Sequence, residues 1–166
     1  FDKGNPRIIT FQSCSKTYAM TGWRIGYIGG DATLVKAMSK LQGQSTSCPN
    51  SIAQYAAIEA LAGDQSCVQT MRNIFLDRRN LIMEKILKIP HITCEKPNGA
   101  FYVFPDFSYY INSKNNLLKN SNDLCKYILD NTGVVSVSGD SFGAPGHIRF
   151  SYATSDKIIN KAMDLV

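Results

Sequence analysis

Apolar residues recur along the chain in patterns that predict its first elements. The apolar segment 8–11 predicts a buried strand, and the apolar segment 25–28 predicts a second, shorter one. Apolar residues then recur three or four positions apart in two stretches, one after Asp31 and one after Pro49. Because aspartate caps helix N-termini and glycine often follows a last turn, these stretches predict two helices, the second of which ends at Gly63.

A longer amphipathic pattern follows Asp64. Apolar residues repeat at helical spacing from Val68 to Ile89, and Pro90 is expected to end the helix because proline lacks the backbone N–H. The pattern predicts a helix of about 25 residues and about 38 Å. A helix of this length can span two domains, so we expect the domain boundary within it, with domains at 1–75 and 76–166.

The second half of the chain predicts short strands that alternate with helices. Segments 92–94, 100–104 and 134–137 are β-prone, and 147–152 alternates with a period of two, which turns Arg149 away from the apolar Ile148 and Phe150. A helix is expected after Ser121 or Asn122 and another from Asp156, whereas 112–116 is a polar loop. This alternation predicts an α/β fold, with a small α/β layer packed on the first part.

Composition excludes several classes of protein. The chain is 44% hydrophobic and 19% charged, as is usual for a globular protein, and its net charge of +5 includes no basic block typical of nucleic-acid binding. Its five cysteines are odd in number and lack metal-ligand spacing, which predicts free thiols, no metal site and a reducing, cytoplasmic compartment. No apolar run is long enough to predict a membrane span.

The candidate chemistry is concentrated between Ser13 and Tyr27. Lys16 follows the predicted strand and two serines, and Arg24 lies eight positions later. A lysine shielded from water at a strand end can attack a carbonyl, while serine hydroxyls and a guanidinium can bind phosphate. One alternative is a solvated surface lysine. Another is a Ser-x-x-Lys pair of an acylating enzyme, which requires Ser-Asp-Asn and Lys-Thr-Gly sequences that this chain lacks.

Residues 13–26 resemble the pyridoxal-phosphate attachment site of class I/II aminotransferases, within the bacterial branch of the aspartate aminotransferase group. Small, apolar and small residues precede Lys16, and an arginine, an apolar residue and a glycine close the motif at 24–26. The resemblance implies that Lys16 forms a Schiff base with pyridoxal 5'-phosphate and transfers the substrate proton, and that Ser13 and Arg24 bind the cofactor. It also implies that 1–75 end the large domain of fold type I and that 76–166 form the small C-terminal domain.

The second half shares this resemblance at 97–105 and 138–153. The resemblance implies that Arg149 binds the α-carboxylate of an amino-acid substrate, whereas the residues alone favour an arginine on a solvated strand face. Because the family's enzymes are longer and homodimeric, it further implies that this chain is a carboxy-terminal fragment of a homodimer and inactive by itself.

The implied reaction is transamination between an amino acid and a 2-oxo acid. Aspartate and 2-oxoglutarate are the favoured pair, and aromatic or prephenate-type acceptors remain open. A fold-related pyridoxal-phosphate lyase or synthase is one alternative function. A non-catalytic, cofactor-binding aminotransferase-like module is another.

Overall fold

The computed structural model of the chain describes residues 5, 7–111 and 118–166. Helices and strands alternate along these residues, which confirms the predicted α/β class. They form two compact units, of which the first ends at Thr70 and the second runs from Met71 to Val166. The elements are, in order, β1 (Thr10–Ser13), α1 (Cys14–Thr17), β2 (Gly26–Gly29), α2 (Ala32–Ser45), α3 (Ser51–Ala62), α4 (Ser66–Ile86), β3 (Tyr102–Val103), α5 (Ser108–Ile111), α6 (Ser121–Thr132), β4 (Val137–Ser138), β5 (Ile148–Ser151) and α7 (Asp156–Met163).

The first unit contains an antiparallel hairpin of β1 and β2, which runs from the pair Thr10–Gly29 to the pair Ser13–Gly26. The prediction of a buried strand at 8–11 is wrong: the strand begins at Thr10, and Phe11 is 67% exposed. Among the described residues β1 pairs only with β2. The buried cluster of this unit is instead formed by the residues that follow β1, together with two alanines of α3, and consists of Cys14, Met20, Ile25, Ala53 and Ala57.

Local capping fixes the helices of the first unit. The Asp31 carboxylate accepts hydrogen bonds from the backbone N–H groups of Thr33 and Leu34, so α2 begins where the sequence predicts. Asn50 caps α3 in the same way, and Gly63 ends it by donating its N–H to the carbonyl of Glu59. These two helix predictions are confirmed in position, since a cap depends on only a few neighbouring residues.

The long helix α4 is shorter than predicted. It begins at Ser66, whose N–H donates to the Asp64 carboxylate, and ends after 21 residues at Ile86. Turns occupy the residues from there to Pro90, so the proline follows the helix rather than ending it directly. The division between the two compact units falls inside α4. It stays a prediction that residues 1–75 end the large domain of fold type I and that residues 76–166 form the small C-terminal domain.

The second unit is organised around a three-stranded antiparallel sheet in the order β3–β5–β4. The central strand alternates as predicted: Ile148 and Phe150 are buried, whereas Arg149 is only partly so. The apolar face of this sheet joins a core contributed by α4, α6 and α7, which includes Ile82, Ile86, Leu124, Ile128, Ile159 and Met163. The period-two prediction for β5 is therefore confirmed.

The other strands of this unit are shorter than predicted. Segment 92–94 forms only one bridge, from Thr93 to Asp106, and 100–104 keeps two strand residues. The strand predicted at 134–137 lies instead at Val137–Ser138, and α6 is capped by Asn120, one residue earlier than expected. The strand errors have a common physical reason, because strand length is set by the partner strand rather than by local β-propensity. The predicted loop at 112–116 lies outside the described residues. No helix within the described ranges is long and apolar enough to cross a membrane.

Candidate functional site

The β1–β2 connection, which comprises residues 13–26 and so includes the last residue of β1 and the first of β2, carries the candidate chemistry of the first unit. Its two ends meet, because Ser13 pairs with Gly26 and the N–H of Cys14 donates to the carbonyl of Ile25 over 3.3 Å. Ser13, Lys16 and Arg24 are therefore brought to the same end of the hairpin. Lys16 and Arg24, which are eight positions apart in the sequence, thus lie in a single loop whose ends are hydrogen-bonded to each other.

Ser13 is the last residue of β1 and also the N-cap of α1. Its Oγ accepts a hydrogen bond from the N–H of Ser15 at 3.1 Å and donates to the carbonyl of Ile25 at 3.4 Å. The neighbouring Cys14 is completely buried. The hydroxyl therefore sits on a backbone that is anchored from both ends of the loop.

Lys16 lies in the last turn of α1, and its side chain is exposed within this chain. Its apolar neighbours in sequence do not shield it within this chain, since Ala19 is exposed and Trp23 is 46% exposed. Met20 is buried, but its side chain packs into the cluster with Cys14. The four-residue helix α1 is too short to bury both of its sides, and it directs Cys14 rather than Lys16 into the core.

Arg24 follows a 3₁₀ turn at Thr21–Trp23 and adopts a left-handed backbone conformation, with φ 52° and ψ 46°. Its Nη1 donates to the carbonyl of Thr21 at 2.9 Å. A residue with a side chain rarely adopts this conformation, so the surrounding loop holds it there. A guanidinium has five N–H groups, and this bond occupies one of them.

The donor set of the β1–β2 connection fits pyridoxal 5'-phosphate. The cofactor presents an aldehyde, which an amine can attack, and a phosphate, which hydroxyl and guanidinium groups bind well. Lys16 offers the amine, Ser13 the hydroxyl and Arg24 the guanidinium. All three belong to a loop whose ends are tied together.

Arg149 lies on β5 in the second unit, on the strand face opposite the buried Ile148 and Phe150. Its guanidinium carbon Cζ lies 4.3 Å from the ring centroid of Tyr102 and 4.7 Å from that of Phe142. Within the described part of the chain no carboxylate forms an ion pair with it. The expectation of a solvated arginine is therefore incomplete, since two aromatic rings contact it.

Sequence reasoning did not assign a role to Tyr102 or Phe142. Tyr102 lies in the segment 100–104, which the sequence predicts as a strand, and Phe142 lies between the predicted strands 134–137 and 147–152. Neither position by itself indicates a contact with Arg149. The period-two pattern of 147–152 predicts which face of the strand Arg149 occupies. The contact with Tyr102 could be predicted only if the register between 100–104 and 147–152 were also known.

A second polar cluster lies elsewhere in the same unit. Asp106 and His147 line a cavity of about 580 Å³ together with Thr93, Cys94, Glu95 and Phe104. Hydrogen bonds from Ser108 lower the pKa of Asp106 below its ordinary value, and the nearby His147 adds to the effect. Burial raises the pKa of the Cys94 thiol, which makes it a poorer nucleophile.

Known proteins match this chain over nearly its whole length. The family described as aminotransferase class I and II matches residues 1–166. The chain is 44% identical over 161 residues to an aspartate/prephenate aminotransferase of Nitrosomonas europaea, a match that covers 95% of this chain and 41% of that protein.

Solved structures agree with this match. The aspartate aminotransferase of Rhizobium meliloti superposes with a TM-score of 0.88 at 39% identity, covering 95% of this chain and 40% of the other. The Thermus thermophilus aspartate aminotransferase solved with maleate gives a TM-score of 0.85 at 36% identity, with coverages of 95% and 40%. The chain thus spans about 40% of the length of the relatives it matches.

Proposed function

Because the chain belongs to the class I and II aminotransferase family, we propose that it is part of an enzyme that transfers an amino group between an amino acid and a 2-oxo acid with pyridoxal 5'-phosphate. The observation that carries this proposal is the β1–β2 connection. It supplies an amine, a hydroxyl and a guanidinium from one closed loop, which are the groups that the aldehyde and phosphate of the cofactor require.

Each residue of the connection then has a distinct task. Lys16 would hold the cofactor through Nζ. Once the amino group of the substrate has replaced it, the same nitrogen would accept the Cα proton and deliver it to the cofactor rather than back to Cα. Ser13 and Arg24 bind the phosphate and so fix the cofactor relative to Lys16. Bound pyridoxal phosphate supplies the electron sink that stabilises the negative charge left at Cα.

Arg149 is proposed to bind the α-carboxylate of the amino acid. Its planar fork can form two parallel hydrogen bonds with a carboxylate, which fixes the orientation of the substrate as well as its position. Correct orientation of the Cα–H bond lowers the barrier to proton transfer because the reacting groups no longer have to find each other.

Aspartate and 2-oxoglutarate are the proposed substrates. The relatives named for aspartate support the first of these, and the Nitrosomonas relative also carries prephenate in its name. We further propose a cytoplasmic homodimer as the working form of the whole enzyme.

The test uses the whole enzyme that carries this chain. Purified protein loaded with pyridoxal phosphate is given aspartate and 2-oxoglutarate, and oxaloacetate and glutamate are measured as products. Formation of both supports transamination. Elimination products instead would indicate a lyase or synthase, and cofactor binding without turnover would indicate a non-catalytic module.

A chemical readout tests Lys16 separately from activity. Borohydride reduction of the loaded enzyme should add the cofactor mass to the peptide that contains Lys16. Lys16→Ala should abolish this labelling and the absorbance band of the lysine-linked cofactor. Lys40→Ala, which removes an exposed lysine on α2, is the matched control and should keep both signals. Labelling at another lysine would show that the assignment of Lys16 is wrong.

A further inference from the structure

We propose that Tyr102 and Phe142 position the Arg149 guanidinium for a substrate carboxylate by contacting it with their rings. The inference rests on the proposed function, in which Arg149 binds the α-carboxylate. It extends that function to two aromatic residues that hold the binding group in place without contacting the substrate themselves.

The sheet register brings Tyr102 to Arg149. Tyr102 on β3 pairs directly with Ser151 on β5, two residues beyond Arg149 and therefore on the same strand face. Diagonal neighbours on one face of an antiparallel pair are within reach of long and aromatic side chains. The Cζ of Arg149 accordingly lies 4.3 Å from the Tyr102 ring centroid, inside the range of a cation–π contact.

Phe142 reaches the same guanidinium from a different element. It ends the 3₁₀ turn Gly139–Phe142, which directly follows β4, and its centroid lies 4.7 Å from the Cζ of Arg149. The Phe142 ring also meets the Phe104 ring edge-on, at 6.1 Å and 87°. Phe142 is 51% exposed, so its ring is not explained as part of the hydrophobic core.

Aromatic contacts suit a guanidinium that must bind an anion. Rings attract the positive charge through their π faces and take up none of its hydrogen-bond donors, since aromatic carbon is not an acceptor of that strength. A neighbouring carboxylate would hold the arginine as well, but it would occupy the fork that the substrate needs. Among the described residues Arg149 forms no such ion pair, and the two rings take its place.

Restraining the side chain also favours binding. Arginine loses much rotamer freedom when it is fixed, and a binding group that is already ordered loses less of it on binding the ligand. The two ring contacts order Arg149 before the substrate arrives. Removing either ring should therefore weaken carboxylate binding even though the charge stays.

The experiment measures maleate binding to the whole pyridoxal-phosphate-loaded enzyme. Maleate is an unreactive dicarboxylate, so its Kd reports binding without catalysis. Tyr102→Leu and Phe142→Leu should each raise this Kd about three- to fivefold, the size of a partly exposed cation–π contact. The KM for aspartate should rise by the same factor, while kcat changes much less.

Conservative and control variants separate positioning from stability. Tyr102→Phe keeps the ring and should bind maleate like the wild type. Tyr127→Leu removes a 54% exposed aromatic ring from α6 and should also leave the Kd unchanged. If Tyr102→Leu fails to fold, Phe142→Leu and Phe142→Trp are compared instead. Phe142→Leu loses the ring and should raise the Kd for maleate, whereas Phe142→Trp keeps an aromatic ring and should not.

Arg149→Lys distinguishes a failure of the ring contacts from a failure of the proposed function. If this variant loses maleate affinity while both leucine variants bind like the wild type, the role of the rings is wrong and the proposed function stands. If Arg149→Lys itself binds maleate normally, the role of Arg149 in the proposed function is wrong, and the inference falls with it.

Discussion

Ser13 and Gly26 face each other at the end of the β1–β2 hairpin, and the backbone leaves no room for a side chain at Gly26. A Cβ placed there would lie 2.7 Å from the carbonyl oxygen of Gln12. Since that oxygen belongs to the backbone of the paired strand, the strand itself would have to move. The close approach thus ties the geometry of the hairpin to the loop that begins at Ser13.

Gly26→Ala is therefore expected to destabilise the chain by about 1–3 kcal/mol, the usual cost of forcing extra volume into a close contact. Gly22→Ala is the matched control, because a Cβ at Gly22 meets nothing within 4 Å. Urea unfolding of both variants measures the difference. Equal free energies of unfolding for the two would show that the strands can separate at no cost.

Arg24→Gln should weaken binding of pyridoxal phosphate to the whole enzyme by about 10- to 100-fold, since a charge-assisted hydrogen bond contributes roughly 1.5–3 kcal/mol. Binding of pyridoxal, which lacks the phosphate, should hardly change. Titration of both compounds checks this, with Arg72→Gln as a control on the exposed surface of α4. A parallel loss of affinity for both compounds would place Arg24 away from the phosphate.

Asp106 should make the stability of the second unit depend on pH. The folded-state pKa of Asp106 lies below its ordinary value of 3.8, mainly because the Ser108 side chain and N–H donate to it. A lowered pKa means that the ionised carboxylate stabilises the fold above pH 3.8, and that this contribution is lost as the pH falls through the folded-state value.

Asp106→Asn should lower the free energy of unfolding at pH 7 by about 1 kcal/mol and flatten its decline below pH 4. Ser108→Ala should produce a smaller effect in the same direction, because it removes one of the two donors. Urea unfolding between pH 7 and pH 3 is the measurement. An unchanged slope in Asp106→Asn would assign the acid sensitivity to other carboxylates.

The features that the sequence predicted well are those set by near neighbours. Asp31 and Gly63 mark helix ends because a cap involves residues two to four positions away. The face of Arg149 on β5 was equally predictable, since alternation is a property of a single strand. The burial of β1 was not, because burial depends on which elements cover a strand, and in the described residues only β2 pairs with it.

The sequence by itself determined the family and the order of the reactive groups in the β1–β2 connection, since Ser13, Lys16 and Arg24 lie within twelve residues of one another along the chain. The tertiary structure alone decided that Tyr102 and Phe142 contact Arg149. Tyr102 is distant in sequence and reaches Arg149 only through the register of β3 on β5, and Phe142 reaches it only through the turn after β4. Strand register and loop path depend on the packing of the whole unit, so no local pattern of residues encodes these contacts.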